Sequence, residues 1–208
     1  MLLKELLSGV PGIVETRGDT AVEIGALVTD SREKAEAGLF FCISGMRFDA
    51  HDFAAQAVEN GCVALVVEHF VDSPVAQVRV DNVRRATAYI AAAFYGHPAQ
   101  KLRMVGVCGT KGKTTTTYLM KAILEKAGFK TGLIGTTGNL IGDRSLPSNM
   151  TTPDPVDLHR CLRQMVDEGV EAVSMEVSAH AVDMHRVDGI TFEAACYTNF
   201  SQDHLDYF

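Results

Sequence analysis

The residues with the most chemical content lie between an apolar run and a helical stretch: Gly109-Thr110-Lys111-Gly112-Lys113-Thr114-Thr115. Glycines let a backbone fold round phosphate oxygens, and a helix starting directly afterwards aims its free N–H groups and positive dipole end at them. At this spacing Lys113 reaches the β- and γ-phosphates of a nucleotide, and the Thr114 hydroxyl ligates Mg²⁺. One departure is visible: the general phosphate-loop pattern wants glycine where Val107 stands, and Gly106 and Gly109 flank that position instead. The competing reading is a tight strand–helix turn that happens to carry Lys-Thr. Glu176 is the second candidate. It ends a predicted strand, where open α/β sheets gather their ligands, and an acid within Met175-Glu176-Val177 is awkward to bury without a task. Its bland alternative is a solvated carboxylate at a strand end.

The elements that must position these groups alternate in type. Residues 39–43 read as a strand, 50–59 as a helix closed by Asn60-Gly61, 63–67 and 78–80 as strands, and 82–95 as an alanine-rich helix stopped at Gly96-His97-Pro98. Residues 96–100 are the expected linker. The rhythm then restarts, with strands over 102–108, 130–134, 172–177 and 194–198 and helices over 113–127 and 155–168. Residues 135–153, rich in Gly, Asn, Thr, Ser and Pro, predict a long loop or a small hairpin. Strands separated by single helices imply βαβ crossovers and a mainly parallel sheet. The expected class is α/β in two units, residues 1–97 and 101–208.

Composition narrows the function classes. The chain has 208 residues, 47% hydrophobic and 22% charged, with 19 basic against 26 acidic residues and a net charge of −7. Such a balance buries a core and excludes disordered, collagenous and disulfide-scaffold classes. No basic face points to nucleic acid, and no polybasic run points to a membrane. The five cysteines (Cys42, Cys62, Cys108, Cys161, Cys196) form no CxxC pair, so zinc-knuckle and thioredoxin-type chemistry lack support and buried free thiols are expected. Residues 1–12 are too short and too interrupted for a secretory segment, and no apolar run reaches the ~20 residues that span a bilayer. The expected compartment is the cytoplasm.

The loop variant G-T-x-G-K-T, followed by Thr115-Thr116-Thr117, resembles the Mur ligases, the ATP-dependent amide-forming enzymes of peptidoglycan synthesis. The similarity continues through Thr151-Thr152-Pro153, Met175-Glu176-Val177-Ser178-Ala179-His180, His185-Arg186-Val187 and Thr198-Asn199-Phe200-Ser201-Gln202-Asp203-His204-Leu205-Asp206-Tyr207. In the first unit Thr29-Asp30-Ser31-Arg32 and Gly38-Leu39-Phe40-Phe41 are similar to the family's nucleotide-sugar domain. These signatures look most like the MurE type, which adds the third amino acid to UDP-N-acetylmuramoyl-L-alanyl-D-glutamate.

The resemblance implies an ATP- and Mg²⁺-dependent ligase working through an acyl phosphate, with Lys113, Glu176 and His204 in the catalytic set. It makes Thr114, Glu176 and His204 magnesium ligands, and Gly109, Thr110, Lys111, Gly112, Lys113, Thr114 and Thr115 the nucleotide loop. Asp206 would orient the His204 ring, or cap a helix; His180 lines the same cleft or belongs to the scaffold. Ser31 would face uridine, and the planar fork of Arg32 suits diphosphate. Thr151, Thr152, Ser178 and Arg186 would hold the muramoyl-peptide end, Arg186 opposite the D-glutamyl carboxylate. Two departures stand out: Lys111 where the family has asparagine, and Ala179 where it commonly has a second serine. The implied partners are small molecules only, and the implied state is a monomer. The family's central domain runs well past Asp206 and is followed by a third domain, so an incomplete chain, inactive on its own, is expected. Whether meso-diaminopimelate or L-lysine is added is not encoded in these residues. The alternatives are a phosphate-loop module that binds nucleotide without forming amides, or a folylpolyglutamate synthetase relative, which Thr29-Asp30-Ser31-Arg32 in a separate unit disfavours.

Overall fold

The computed structural model describes residues 1–45, 48–146 and 150–202. The chain forms two compact units, Met1–Phe94 and Tyr95–Phe208. Each is built round its own mostly parallel sheet, so the α/β class expected from the alternating pattern holds.

The first unit runs α1 (Leu3–Leu6), β1 (Ile13–Arg17), β2 (Ala26–Val28), β3 (Gly38–Phe41), a 3-10 turn (Ala50–Phe53) leading into α2 (Ala54–Glu59), β4 (Cys62–Val67), β5 (Ala76–Val80) and α3 (Val83–Phe94). The sheet order is β1-β5-β4-β3-β2, with β1 antiparallel and the other pairs parallel. All four residues of β3 are buried, as are five of the six in β4. Strands covered on both faces read as continuous apolar runs, which is why these two are plain in the sequence. The small elements α1, β1 and β2 carry no such run, and β1 leaves four of its five residues exposed.

The second unit contains a 3-10 turn (Pro98–Lys101), β6 (Arg103–Cys108), α4 (Lys113–Lys126), β7 (Thr131–Gly135), β8 (Gly138–Ile141), β9 (Arg144–Leu146), α5 (Pro155–Asp167), β10 (Ala172–Glu176), α6 (Ala179–Asp183) and β11 (Ala194–Tyr197). Its sheet order is β11-β6-β10-β7-β8-β9. The first four are mutually parallel, and β8 and β9 extend the sheet as an antiparallel meander. The segment expected as a long loop or hairpin therefore supplies the last two strands on that side of the sheet, with β9 at the edge. Residues 96–100, expected as a linker, carry structure of their own. His97 takes a left-handed φ of 51°, and the following 3-10 turn buries Pro98 and Ala99.

Helix α5 shows how the core is made. Leu158, Cys161, Leu162 and Met165 are buried at i, i+3, i+4 and i+7 and pack with Met104, Ile134 and Met175 from the strands. His159 is buried beside this apolar stripe, 1% exposed, and neither ring nitrogen has a hydrogen-bond partner among the described residues. Burial pushes its imidazole down to about 4 from the ordinary 6.5, and neighbouring His97 pushes the same way. The folded unit therefore refuses a proton that the unfolded chain accepts once the pH falls below 6.5. The stability present above 6.5 is lost progressively towards pH 4, and by pH 4.5 the loss amounts to about 3 kcal/mol. His159→Leu, similar in volume and without a proton site, should remove that part of the acid sensitivity. Urea melts at pH 7 and pH 4.5 check this; equal losses in both proteins would contradict it.

Candidate functional site

Three parallel strands deliver the site. β6, β10 and β7 lie side by side with their carboxyl ends together, and Glu176 pairs in register with Val107. The chain leaves β6 into Gly109–Gly112, leaves β7 at Thr136 and leaves β10 at Val177. The crevice outside the carboxyl ends of such strands is where open α/β sheets hold ligands.

The loop itself is sharply constrained. Gly109 has φ +130°, and a Cβ there would stand 2.2 Å from Thr198 Oγ1 and 2.9 Å from the Asn199 carbonyl oxygen. Only glycine fits. Gly112, at φ +84°, opens α4. The Lys113 ammonium folds over the loop and donates to the carbonyls of Gly109 (2.7 Å) and Thr110 (3.1 Å). Its charge is thus held over the turn, beside the helix-start amides that an α-helix cannot satisfy internally.

Glu176 is 1% exposed and fully hydrogen-bonded. Its Oε1 accepts the Thr136 N–H at 2.9 Å, and its Oε2 accepts the hydroxyls of Thr114 and Thr136, each at 3.1 Å. A buried carboxylate is tolerable only with such partners. With the Thr136 proton committed to Glu176, the Thr151 hydroxyl donates to Thr136 across 3.0 Å. Gly135 makes room, since a Cβ there would lie 2.3 Å from Glu176 Oε1. The pair also suits a small hard cation. Mg²⁺ takes oxygen ligands near 2.0–2.1 Å in an octahedron, which sets adjacent ligands about 2.9 Å apart; Thr114 Oγ1 and Glu176 Oε2 are 3.1 Å apart.

The far side of the site comes from residues after β9 and β10. Thr152, 1% exposed, donates its hydroxyl to the Glu176 carbonyl (2.9 Å) and accepts the Ser178 N–H (3.1 Å). Its hydroxyl is consumed by the backbone, so it shapes the exit of β10. Ser178 Oγ caps α6 by accepting the Ala181 N–H at 3.2 Å. Arg186 donates to the Thr152 carbonyl (3.0 Å), and its Nε lies 2.9 Å from Asp154 Oδ1. A cavity of about 540 Å³ is lined by Lys113 and Thr114 on one flank, Glu176 at the strand ends, and Thr151, Ser178 and Arg186 on the other. His180 lines it too.

The first unit holds the remaining candidates, Ser31 and Arg32. Ser31 is buried and donates to Gln56 Oε1 at 2.7 Å, while its carbonyl accepts from the Asn60 side chain. Arg32 is exposed and forks onto its neighbour Asp30, whose carboxyl the guanidinium hydrogen bonds lower to about 2. The same unit contains Asp49, His51 and His69, the one cluster of three His, Cys, Asp or Glu side chains among the described residues whose ligand atoms lie close enough to share a metal. His51 Nε2 accepts the Glu68 N–H at 3.0 Å, so Nδ1 carries the proton and donates to Asp49 at 2.5 Å. His69 stacks on the ring at 4.0 Å. Both His51 nitrogens are spent inside the fold, and the trio is a satisfied network rather than a ligand set.

Residues 107–208 match the Mur ligase middle domain. Along its whole length the chain is 51% identical to UDP-N-acetylmuramoyl-L-alanyl-D-glutamate--2,6-diaminopimelate ligase of Geobacillus thermodenitrificans, over 207 residues covering 42% of that protein. Its second unit belongs to the Mur ligase middle-domain family. A second relative with the same enzyme name, from Geobacter sulfurreducens, is 44% identical over 98% of this chain and 40% of its own. The chain thus spans about two fifths of the curated relatives it matches. Among solved structures, one titled UDP-N-acetylmuramoyl-L-alanyl-D-glutamate--2,6-diaminopimelate ligase shares the fold at TM-score 0.82 and 24% identity, over all of this chain and 42% of that one. MurF from Acinetobacter baumannii superposes at TM-score 0.67 and 27% identity, with the same coverage.

Seen as part of a Mur ligase, the second unit brings Thr110, Gly112, Lys113, Thr114, Thr151, Thr152, Glu176, Ser178 and Arg186 round one cavity. Lys111 and Thr115 belong to the loop and helix start but do not line it. His204 and Asp206 lie outside the described residues. Sequence reasoning missed Thr136 and the clasp of Thr198, Asn199 and Ser201 on the loop. Thr136 had a usable signal: it follows Gly135 at the end of a β-strand next to the one that carries Glu176.

Proposed function

We propose that this chain is the nucleotide-sugar and ATP-handling part of a MurE-type ligase. Such an enzyme joins an amino acid to UDP-N-acetylmuramoyl-L-alanyl-D-glutamate, driven by ATP through an acyl phosphate. The relatives' names favour 2,6-diaminopimelate as the amino acid over L-lysine. The observation that carries the reading is the convergence of Lys113, Thr114 and Glu176 at one crevice, in a chain half identical to a named ligase over its full length.

The residues divide the work by charge. Lys113 and the first amides of α4 neutralise and orient phosphate oxygens, which is most of what phosphoryl transfer asks of a protein. Thr114 and Glu176 would hold Mg²⁺; when bound, the ion neutralises charge on the phosphates and holds them in line. Glu176 keeps its orientation because Thr136 pins both of its oxygens. Arg186, paired with Asp154, lines the same cavity and offers positive charge to the peptide end of the substrate, with Thr151 and Ser178 beside it. Thr152 supports them by fixing the turn between Glu176 and Ser178. Residues 1–97 form the domain for the UDP-sugar, with Arg32 in the nucleotide contact and Ser31, its hydroxyl on Gln56, shaping the turn beside it, and 101–208 carry the ATP site. The same reading makes the protein a cytoplasmic monomer acting on small molecules. No helix among the described residues is long and apolar enough to cross a membrane.

Titration calorimetry of this chain with Mg²⁺-ATP and, separately, with UDP-N-acetylmuramoyl-L-alanyl-D-glutamate tests the reading. One saturable site for each ligand is expected. Nucleotide binding without any binding of the muramoyl dipeptide would favour the plain nucleotide-binding module, and no binding of either would overturn both.

A further inference from the structure

The phosphate loop is held from outside by a segment about 90 residues later in the chain. The Asn199 carboxamide lies against the Lys111 peptide: its Oδ1 accepts the Lys111 N–H at 3.1 Å, and its Nδ2 donates to the Lys111 carbonyl at 2.8 Å. The Asn199 carbonyl accepts the Thr110 N–H at 3.1 Å. Thr198 adds a hydroxyl 2.7 Å from the Lys111 carbonyl, and Ser201 exchanges hydrogen bonds with the Thr110 hydroxyl through its N–H (3.0 Å) and carbonyl (3.1 Å). These partners are exposed or half-buried, so the bonds do not belong to the core.

We propose that Asn199 is a positioning residue for the phosphate loop. A side-chain amide that imitates a neighbouring strand satisfies both main-chain polar groups of one loop residue at once, as a backbone ladder does. Two consequences follow for the loop. The amides of Thr110 and Lys111 are spent on Asn199, so anion recognition falls to the amides at the start of α4. The loop also keeps one shape before the ligand arrives, which spares the ordering cost at binding. The proposal rests on the reading of Gly109–Thr114 as a nucleotide phosphate loop.

Asn199→Ala removes both side-chain bonds, and Asn199→Asp keeps the acceptor for the Lys111 N–H while losing the donor. Hydrogen exchange on the ligand-free chain should show the Lys111 amide exchanging about tenfold faster in the Ala variant, with protection retained in the Asp variant and the melting temperature nearly unchanged in both. Affinity for Mg²⁺-ATP should fall about tenfold in the Ala variant. Lys113→Ala serves as the reference. If it leaves affinity intact, the phosphate-loop reading fails; if it abolishes binding while Asn199→Ala binds as wild type, the positioning role is overturned. Should the Ala variant not fold, wild-type affinity together with a lost Lys111 protection in the Asp variant gives the same refutation.

Discussion

Lys113→Ala should bind Mg²⁺-ATP about a hundredfold more weakly than wild type, a loss of about 3 kcal/mol from charge-assisted hydrogen bonds to phosphate. The ammonium sits over the loop on the carbonyls of Gly109 and Thr110, so the charge is already beside the proposed phosphate site and needs no long excursion. Among the described residues the other arginine or lysine lining the cavity, Arg186, is engaged by Asp154 and the Thr152 carbonyl on the opposite flank. Lys111 is exposed and does not line the cavity, and its peptide is pinned by Asn199. The extra cation at that position therefore does not rescue the variant. Folding should be nearly unaffected, because water can solvate two carbonyls on a partly exposed loop. Calorimetry and a thermal melt on the same sample separate the effects: unchanged affinity contradicts the role of Lys113, and lost binding with a collapsed melting temperature assigns the lysine to the fold instead.

Most of the strands that were plain in the sequence are buried on both faces; Ala194–Tyr197, largely exposed, is the exception. Gly38–Phe41, Cys62–Val67 and Arg103–Cys108 are apolar almost throughout, and burial is what an apolar run encodes. The phosphate loop was legible for a different reason: its chemistry is local, fitted into six consecutive residues. Thr136 and Asn199 were not. Their partners lie 40 and 88 residues away, and no period or spacing marks an amide that will meet a peptide at that separation. Thr152 shows a subtler limit. Its type and place suit a ligand contact, yet its hydroxyl is spent on the Glu176 carbonyl and the Ser178 N–H. Ser31 likewise gives its hydroxyl to Gln56. A motif names the residues at a site, and only packing tells which of them face the ligand and which hold the others still.

Glu176→Gln should fold and yet lose most of the Mg²⁺ dependence of nucleotide binding. The substitution is nearly isosteric, and the carboxamide oxygen can keep the Thr136 N–H. The new NH₂ then faces two hydroxyls, Thr114 and Thr136, and hydroxyls can turn to accept as well as donate. The expected loss of stability is about 1 kcal/mol. Removing the charge is another matter: a neutral amide beside Thr114 is a poor magnesium ligand, and losing one charged ligand weakens the Mg²⁺-assisted part of ATP binding by about 2 kcal/mol, or about thirtyfold. Glu176→Ala is the contrasting case. It strips the acceptor from three donors at a position 1% exposed, and should cost about 2–3 kcal/mol in stability as well as the magnesium response. ATP titrations with and without MgCl₂, paired with urea melts, distinguish the two. A Gln variant with an intact magnesium response would remove Glu176 from the metal site and leave it as a bracket joining β10 to Thr114 and Thr136. A Gln variant as unstable as the Ala variant would show that the negative charge itself, set against those three donors, holds this end of the sheet together.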